Sequence, residues 1–261
     1  MEITGGTKVM FVLAHPVEHV RAPSILNAHF RKTGNDIITV PLNVHPEHLA
    51  DVLDSIRHLQ NIIGFGVTIP HKVPAVALVD QATSRARNIG AVNFVKRTQD
   101  GQLIGDNMDG LGFVAGLRRM GIELEGKNVL QIGAGGAGRA TAFAMAEAGV
   151  SRLGIKNRDQ SKARDLAQRV TSITGCRTDA DIAAPAEFDI VVNATSLGMK
   201  DADPMPVDPG SLRKGTVLAD IVMAPAVTKL MSHAGDLGCT VIGGKIMLDE
   251  QMELVTEFLT A

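Results

Sequence analysis

The sequence predicts an α/β fold, built in two domains with mostly parallel sheets. Strand patterns alternate with helix patterns along the whole chain, which is the signature of that class. The 261 residues are long for one core and natural for two. A fresh strand–turn–helix unit opens at Gly126, after a break rich in Gly and Asp at residues 101–112.

In the first part, residues 8–13, 36–41 and 62–69 read as strands, and 92–97 as a fourth. Residues 23–33, 46–59 and 73–78 read as helices. Pro46 suits a first helical turn, where its missing N–H leaves nothing unpaired. After the break a helix runs to about residue 120. The second part reads as strand 128–132, glycine turn 133–138, helix 139–148, strand 152–156 and a helix carrying residues 161–170. Later strands fall at 189–193, 217–221 and 240–242. The domains are expected at 1–112 and 113–243. Residues 244–261, with a helix at about 247–259, are expected to return to the first domain.

Composition excludes several classes. Hydrophobic residues at 45% are too many for a disordered chain. A net charge of -2 gives no electrostatic case for nucleic acid. No apolar run reaches membrane-spanning length, and the start lacks a signal-peptide pattern. Cys176 and Cys239 are far apart and form no disulfide framework, so a cytoplasmic location is expected. The chain has no Trp and no Tyr, which removes redox enzymes that use tyrosine as the proton donor. Most histidines lie in the first 71 residues, but none sits in a His-Glu-x-x-His frame, and no metal site is expected.

The run Gly133-Ala134-Gly135-Gly136-Ala137-Gly138 follows a strand and opens a helix. Its glycines at 133, 135 and 138 match the dinucleotide fingerprint: tight turn, backbone approach to a pyrophosphate, close packing of helix on strand. The helix N-terminus then offers amide donors and a positive dipole end to phosphates. The end of the next strand selects the cofactor. Arg158 there suits the 2′-phosphate of NADP by a forked contact, with Lys162 following. Asp159 has two readings: cap of the following helix, or acceptor for the 2′-hydroxyl of NAD. NADP is favoured on charge, with NAD as the alternative.

Several segments together resemble the shikimate dehydrogenase family. They are Gly64-Phe-Gly-Val-Thr-Ile-Pro-His-Lys72, Gly90-Ala-Val-Asn93, Gly105-Asp-Asn-Met-Asp-Gly110, Asn157-Arg158, Asn193-Ala-Thr-Ser-Leu-Gly-Met199 and Met247-Leu-Asp-Glu-Gln251. They run in family order across nearly the whole chain. The resemblance implies a substrate domain followed by a Rossmann NAD(P) domain, a cleft between them, and NADP-linked interconversion of shikimate and 3-dehydroshikimate. It puts the catalytic pair on Lys72 and Asp109, and the grip on substrate hydroxyls on Asn93 and Asp109. Thr68 and Gln251 match other pocket positions. Val20 and Ala22 stand where the family has two serines that hold the substrate carboxylate. The cofactor contacts implied are Gly133, Ala134, Gly135, Gly136, Ala137, Asn157, Arg158, Asp159, Lys162, Ala194, Thr195, Ser196, Ile221, Gly243 and Met247. The partner expected is a small cyclic polyol or hydroxy acid, and the state a monomer or homodimer.

The residue chemistry agrees. Hydride transfer to a ketone leaves negative charge on oxygen, so a proton donor must stand beside it. Without tyrosine a lysine can serve, oriented by a carboxylate that complements its charge. Taken singly, Lys72 reads as a solvated charge and Asp109 as the cap of the helix from Gly110. Their joint motif frame favours chemistry. Gln251 falls within the apolar stripe of the last helix, and a buried amide needs partners.

Departures from the family concentrate at the carboxylate end. Besides Val20 and Ala22, Gly66 replaces Asn, Phe94 replaces Thr, and Met223 replaces Tyr. Two lost hydrogen bonds to a charged group remove about 3–6 kcal/mol, or about 10²–10⁴ in affinity. Arg21 is the candidate replacement, but strand-like alternation would turn it away from the side of residues 20 and 22. The expected protein is a divergent member acting on a cyclic hydroxy or keto compound, poor with shikimate. The alternatives are a true shikimate or quinate dehydrogenase with a rebuilt carboxylate site, and a catalytically silent NAD(P)-binding regulator.

Overall fold

A computed structural model of the chain describes residues 2–18, 20–180 and 184–261. Two compact units result, Met1–Met108 with Gln251–Ala261, and Asp109–Glu250.

The first unit carries a six-stranded sheet: β1 (Lys8–Ala14), β2 (Ile37–Asn43), β3 (Ile62–Val67), β4 (Gln81–Ala82), β5 (Phe94–Arg97) and β6 (Leu103–Asp106), in the order β2-β1-β3-β5-β6-β4. β1 runs parallel to β2 and β3, whereas β5 is antiparallel to β3 and β6. The antiparallel strand has a consequence: β3 ends where β5 begins. Helices α1 (Ala22–Thr33), α2 (Leu49–Arg57) and α3 (Ser84–Ile89) complete the N-terminal part. Leu53, Ile56, Phe65, Val67, Val95 and Leu103 share one core.

Several elements differ from expectation. The 101–112 break contains β6, because Leu103 is a core residue despite its glycine-rich surroundings. Residues 74–77 form a short 3-10 turn, and a second one at Pro46–His48 precedes α2. α3 starts at a threonine cap, Thr83 accepting from the Ala86 amide, and is too short for a periodicity signal.

The second unit holds β7 (Asn128–Ile132), β8 (Arg152–Lys156), β9 (Thr178–Asp179), β10 (Ile190–Asn193), β11 (Val217–Asp220) and β12 (Thr240–Ile242), in the order β12-β11-β10-β7-β8-β9. Every pairing is parallel. The chain order reverses between β7 and β10, the doubly wound arrangement whose ligand crevice lies at the carboxyl ends of those strands. Its helices are α4 (Asp109–Arg119), α5 (Gly136–Glu147), α6 (Gln160–Thr174), α7 (Lys229–Asp236) and α8 (Lys245–Asp249). Gly110 lets α4 lie directly on α5: a Cβ there would stand 2.3 Å from the Ala140 carbonyl.

The single final helix expected at 247–259 is two helices, α8 and α9 (Met252–Thr260). α9 packs on β3 and β5. The break falls at Glu250 and Gln251, and Gln251 occupies the cap position of α9 rather than a mid-helix stripe. No helix of the described residues is long and apolar enough to cross a membrane.

Candidate active site

At the carboxyl end of β3 the chain is tied to its neighbours on both sides. The Thr68 amide donates to Leu13 O at 3.0 Å and the His15 amide to Ile69 O at 3.1 Å. Across the sheet the Val67 amide donates to Asn93 O at 2.8 Å, and the Val92 amide to Lys72 O at 2.9 Å. Thr68, Lys72 and Asn93 thereby share one sheet edge. Lys72 is half-buried in the turn that follows.

Asn93 is the hub of that edge. It is 3% exposed, its Nδ2 donates to Gln251 Oε1 at 3.0 Å, and its Oδ1 accepts the Met108 amide at 2.9 Å. Asp109 is the next residue in the chain. It heads α4 in the second unit, where a carboxylate complements the helix dipole, and is equally buried.

Two residues that the sequence did not single out brace this edge. Asp106, buried, accepts Thr83 Oγ1 at 2.6 Å, Arg85 through a forked contact at 2.5 and 3.2 Å, and the Asn107 amide at 2.7 Å. His71 lies wholly buried beneath the Lys72 turn, with Nε2 2.9 Å from Val44 O. Burial, above all, holds its pKa below the usual imidazole value. Both read as ordinary polar residues in sequence, since the burial that singles them out is set by the tertiary fold.

Val20 and Ala22 lie half-exposed at the start of α1. The expected strand-like alternation of residues 20–22 does not occur, because Pro23 admits a first helical turn and Ala22 already belongs to α1. Arg21 precedes that helix with an exposed side chain, and makes no ion pair among the described residues.

In the second unit the nucleotide candidates gather at the carboxyl ends of the parallel strands. Gly133 has φ +114°, and a Cβ on it would lie 2.6 Å from Ala194 O. A Cβ on Gly138 would lie 2.5 Å from Gly133 O, whereas Gly135 faces open space. Two positions of the turn exclude a side chain and the third leaves the backbone approachable, which fits a pyrophosphate. The Ala134 amide donates to Asn157 Oδ1 at 3.2 Å, joining the turn between Gly133 and Ala137 to the end of β8.

Asp159 caps α6. Its Oδ1 accepts from the Ser161 amide at 3.1 Å and from Ser161 Oγ at 2.6 Å. The Ser161 hydrogen bond is the main cause holding its carboxyl below the usual range. Arg158 is exposed beside it, and Lys162 Nζ lies 3.7 Å from Asp159.

The segment Ala194–Ser196 follows β10. The Ala194 amide donates to Ile132 O at 2.7 Å, and Thr195 Oγ1 to Asn193 Oδ1 at 2.7 Å. The Ile221 amide donates to Asn193 O at 3.0 Å. Behind them Asp220 accepts Asn193 Nδ2 at 3.0 Å and Thr228 Oγ1 at 2.8 Å, and its burial pushes its carboxyl above the ordinary value. Gly243 follows β12, and Met247 lies buried in α8. No group of three His, Cys, Asp or Glu that could hold a metal occurs among the described residues.

Residues 12–95 match the family model for the shikimate dehydrogenase substrate binding domain, and residues 116–221 that for shikimate / quinate 5-dehydrogenase. Shikimate dehydrogenase (NADP(+)) from Rubrobacter xylanophilus is 39% identical over 251 residues, 94% of this chain and 88% of the relative. A solved shikimate dehydrogenase in complex with NADP+ superposes with TM-score 0.90 at 34% identity, covering 99% of this chain and 92% of the other. A ligand-free 5-ketofructose reductase of Gluconobacter sp. strain CHM43 gives TM-score 0.84, also at 34% identity, covering 97% and 93%.

Proposed function

The chain belongs to the shikimate dehydrogenase family, and from that premise we propose that Lys72 and Asp109 form the acid–base pair of an NADP-linked alcohol/ketone oxidoreductase. The protein is an NAD(P)-dependent oxidoreductase acting on CH–OH groups, with a cyclic hydroxy or keto compound as substrate. The observation that carries the residue assignment is the sheet edge where backbone hydrogen bonds hold Lys72, Thr68 and Asn93, and a side-chain hydrogen bond joins Asn93 to Gln251.

A bound dinucleotide would supply the hydride-transfer chemistry. In the reducing direction Lys72 Nζ gives a proton to the oxygen that becomes a hydroxyl; in oxidation it takes that proton back. Asp109 accepts from a neighbouring substrate hydroxyl. The Asn93 and Gln251 amides fix each other and so present a preset polar surface to the substrate, with little reorganisation during reaction. Gly133–Ala137 would hold the pyrophosphate, and Arg158 with Lys162 the 2′-phosphate. Engagement of Asp159 as a helix cap supports NADP over NAD, because that carboxylate is directed to the Ser161 amide. Both cysteines are free thiols, which supports a cytoplasmic location.

At the far end of the substrate, Val20 and Ala22 offer no hydroxyl and Arg21 is directed to solvent. This supports a substrate without a carboxylate there, as does similarity to an enzyme named for 5-ketofructose. The names of other relatives favour shikimate itself. Steady-state reduction of NADP with shikimate, quinate and uncharged cyclic polyols separates the two readings. The expected result is a higher kcat/KM for an uncharged compound; ordinary efficiency with shikimate would refute it.

A further inference from the structure

β7 contributes one polar side chain to an otherwise apolar strand core. Gln131 is wholly buried, while Val129, Leu130 and Ile132 around it are apolar. Its Nε2 donates to Gly133 O and to Gly138 O, both at 2.8 Å. Its Oε1 accepts from Thr141 Oγ1 at 2.7 Å. The amide orientation follows from the partners: two carbonyls require the NH2 group, and the hydroxyl serves the oxygen. Both amide hydrogens are used and no polar atom of this side chain is left over.

The two carbonyls are those of the first and last residues of the glycine turn. Gln131 therefore clamps the turn from below at both ends, drawing its carbonyls toward the strand. The first-turn amides of α5, at Gly136, Ala137 and Gly138, have no intrahelical acceptor and point the opposite way along the helix axis. A leucine of similar volume would fill the space but leave two buried carbonyls without this donor. Packing alone would be served as well by an apolar residue, as at Leu130.

We propose that Gln131 is a positioning residue for the cofactor, fixing the glycine turn so that its outward amides are preset for the pyrophosphate, with Thr141 holding the Gln131 amide in register. The inference rests on the reading of residues 133–138 as the pyrophosphate site. It separates structure from binding because adenosine 2′-monophosphate would be held through Arg158 and Lys162, whereas the pyrophosphate would be held by the turn.

Calorimetric titration of the whole protein with NADPH and with adenosine 2′-monophosphate, which lacks the pyrophosphate, provides the test. Gln131→Leu should weaken NADPH about tenfold and the adenosine 2′-monophosphate by less than about twofold. Thr141→Val should act in the same direction more weakly, and Thr141→Ser, which keeps the hydroxyl, should restore the unaltered ratio. The threonine pair carries the test if Gln131→Leu does not fold. An unchanged ratio of the two affinities in Gln131→Leu, or in Thr141→Val where that pair carries the test, overturns the role given to Gln131. If the unaltered protein holds NADPH no more tightly than adenosine 2′-monophosphate, the pyrophosphate reading itself falls, and this proposal with it.

Discussion

Asn93 and Gln251 stand 158 positions apart in the chain and share a buried side-chain hydrogen bond of 3.0 Å. The bond joins the start of β5 to the cap position of α9, so the C-terminal helix is part of the polar sheet edge that carries Lys72. Gln251→Ala takes this acceptor from the buried Asn93 amide. The expected outcome is a fall in kcat/KM of roughly ten- to a hundredfold, with NADPH affinity within about twofold of the unaltered protein. Equal loss of cofactor affinity would show that Gln251 acts on the fold and not on the substrate.

The Lys72 backbone carbonyl accepts the Val92 amide. Truncating the side chain leaves that bond in place. Lys72→Ala should therefore retain folding and NADPH binding, while kcat drops about 10²–10⁴-fold. Survival of turnover in this variant removes the proton-transfer mechanism.

Arg158 is exposed beside a carboxylate already engaged as a helix cap. Arg158→Ala should raise the NADP dissociation constant about ten- to a hundredfold and leave NAD nearly unchanged. Equal effects on the two dinucleotides would withdraw the 2′-phosphate assignment.

Asp220 is a carboxyl whose burial outweighs the hydrogen bonds from Asn193, Val222 and Thr228, so its folded pKa lies above the ordinary 3.8. The folded protein keeps a proton that the unfolded chain has released. Its contribution to stability is thus full below 3.8 and is lost as pH rises through the raised folded value. Asp220→Asn retains an acceptor for Asn193 and Val222 without the charge. Measured by urea midpoints between about pH 4 and about pH 8, the unaltered protein should lose stability relative to Asp220→Asn on going up in pH. A gain would reverse the sign assigned to this group.

Periodicity and glycine chemistry, both local properties, determined much of this protein before any contact was known. The strand and turn at 128–138 were legible because φ +114° at Gly133 and the close approach of Gly138 leave glycine little alternative. The matching segments from residue 64 to 251 carry the family resemblance, and the lack of tyrosine leaves a lysine to serve as proton donor. Only the folded chain decided the rest. A glutamine inside an apolar stripe is visibly destined for burial, but that Gln251 breaks the last helix and finds Asn93 depends on packing of α9 against β3 and β5. Gln131 in a strand and Asp106 in a glycine-rich stretch have no local signal, since their partners lie up to ten and 23 residues away. A buried polar group is defined by what surrounds it, and sequence order does not contain that neighbourhood.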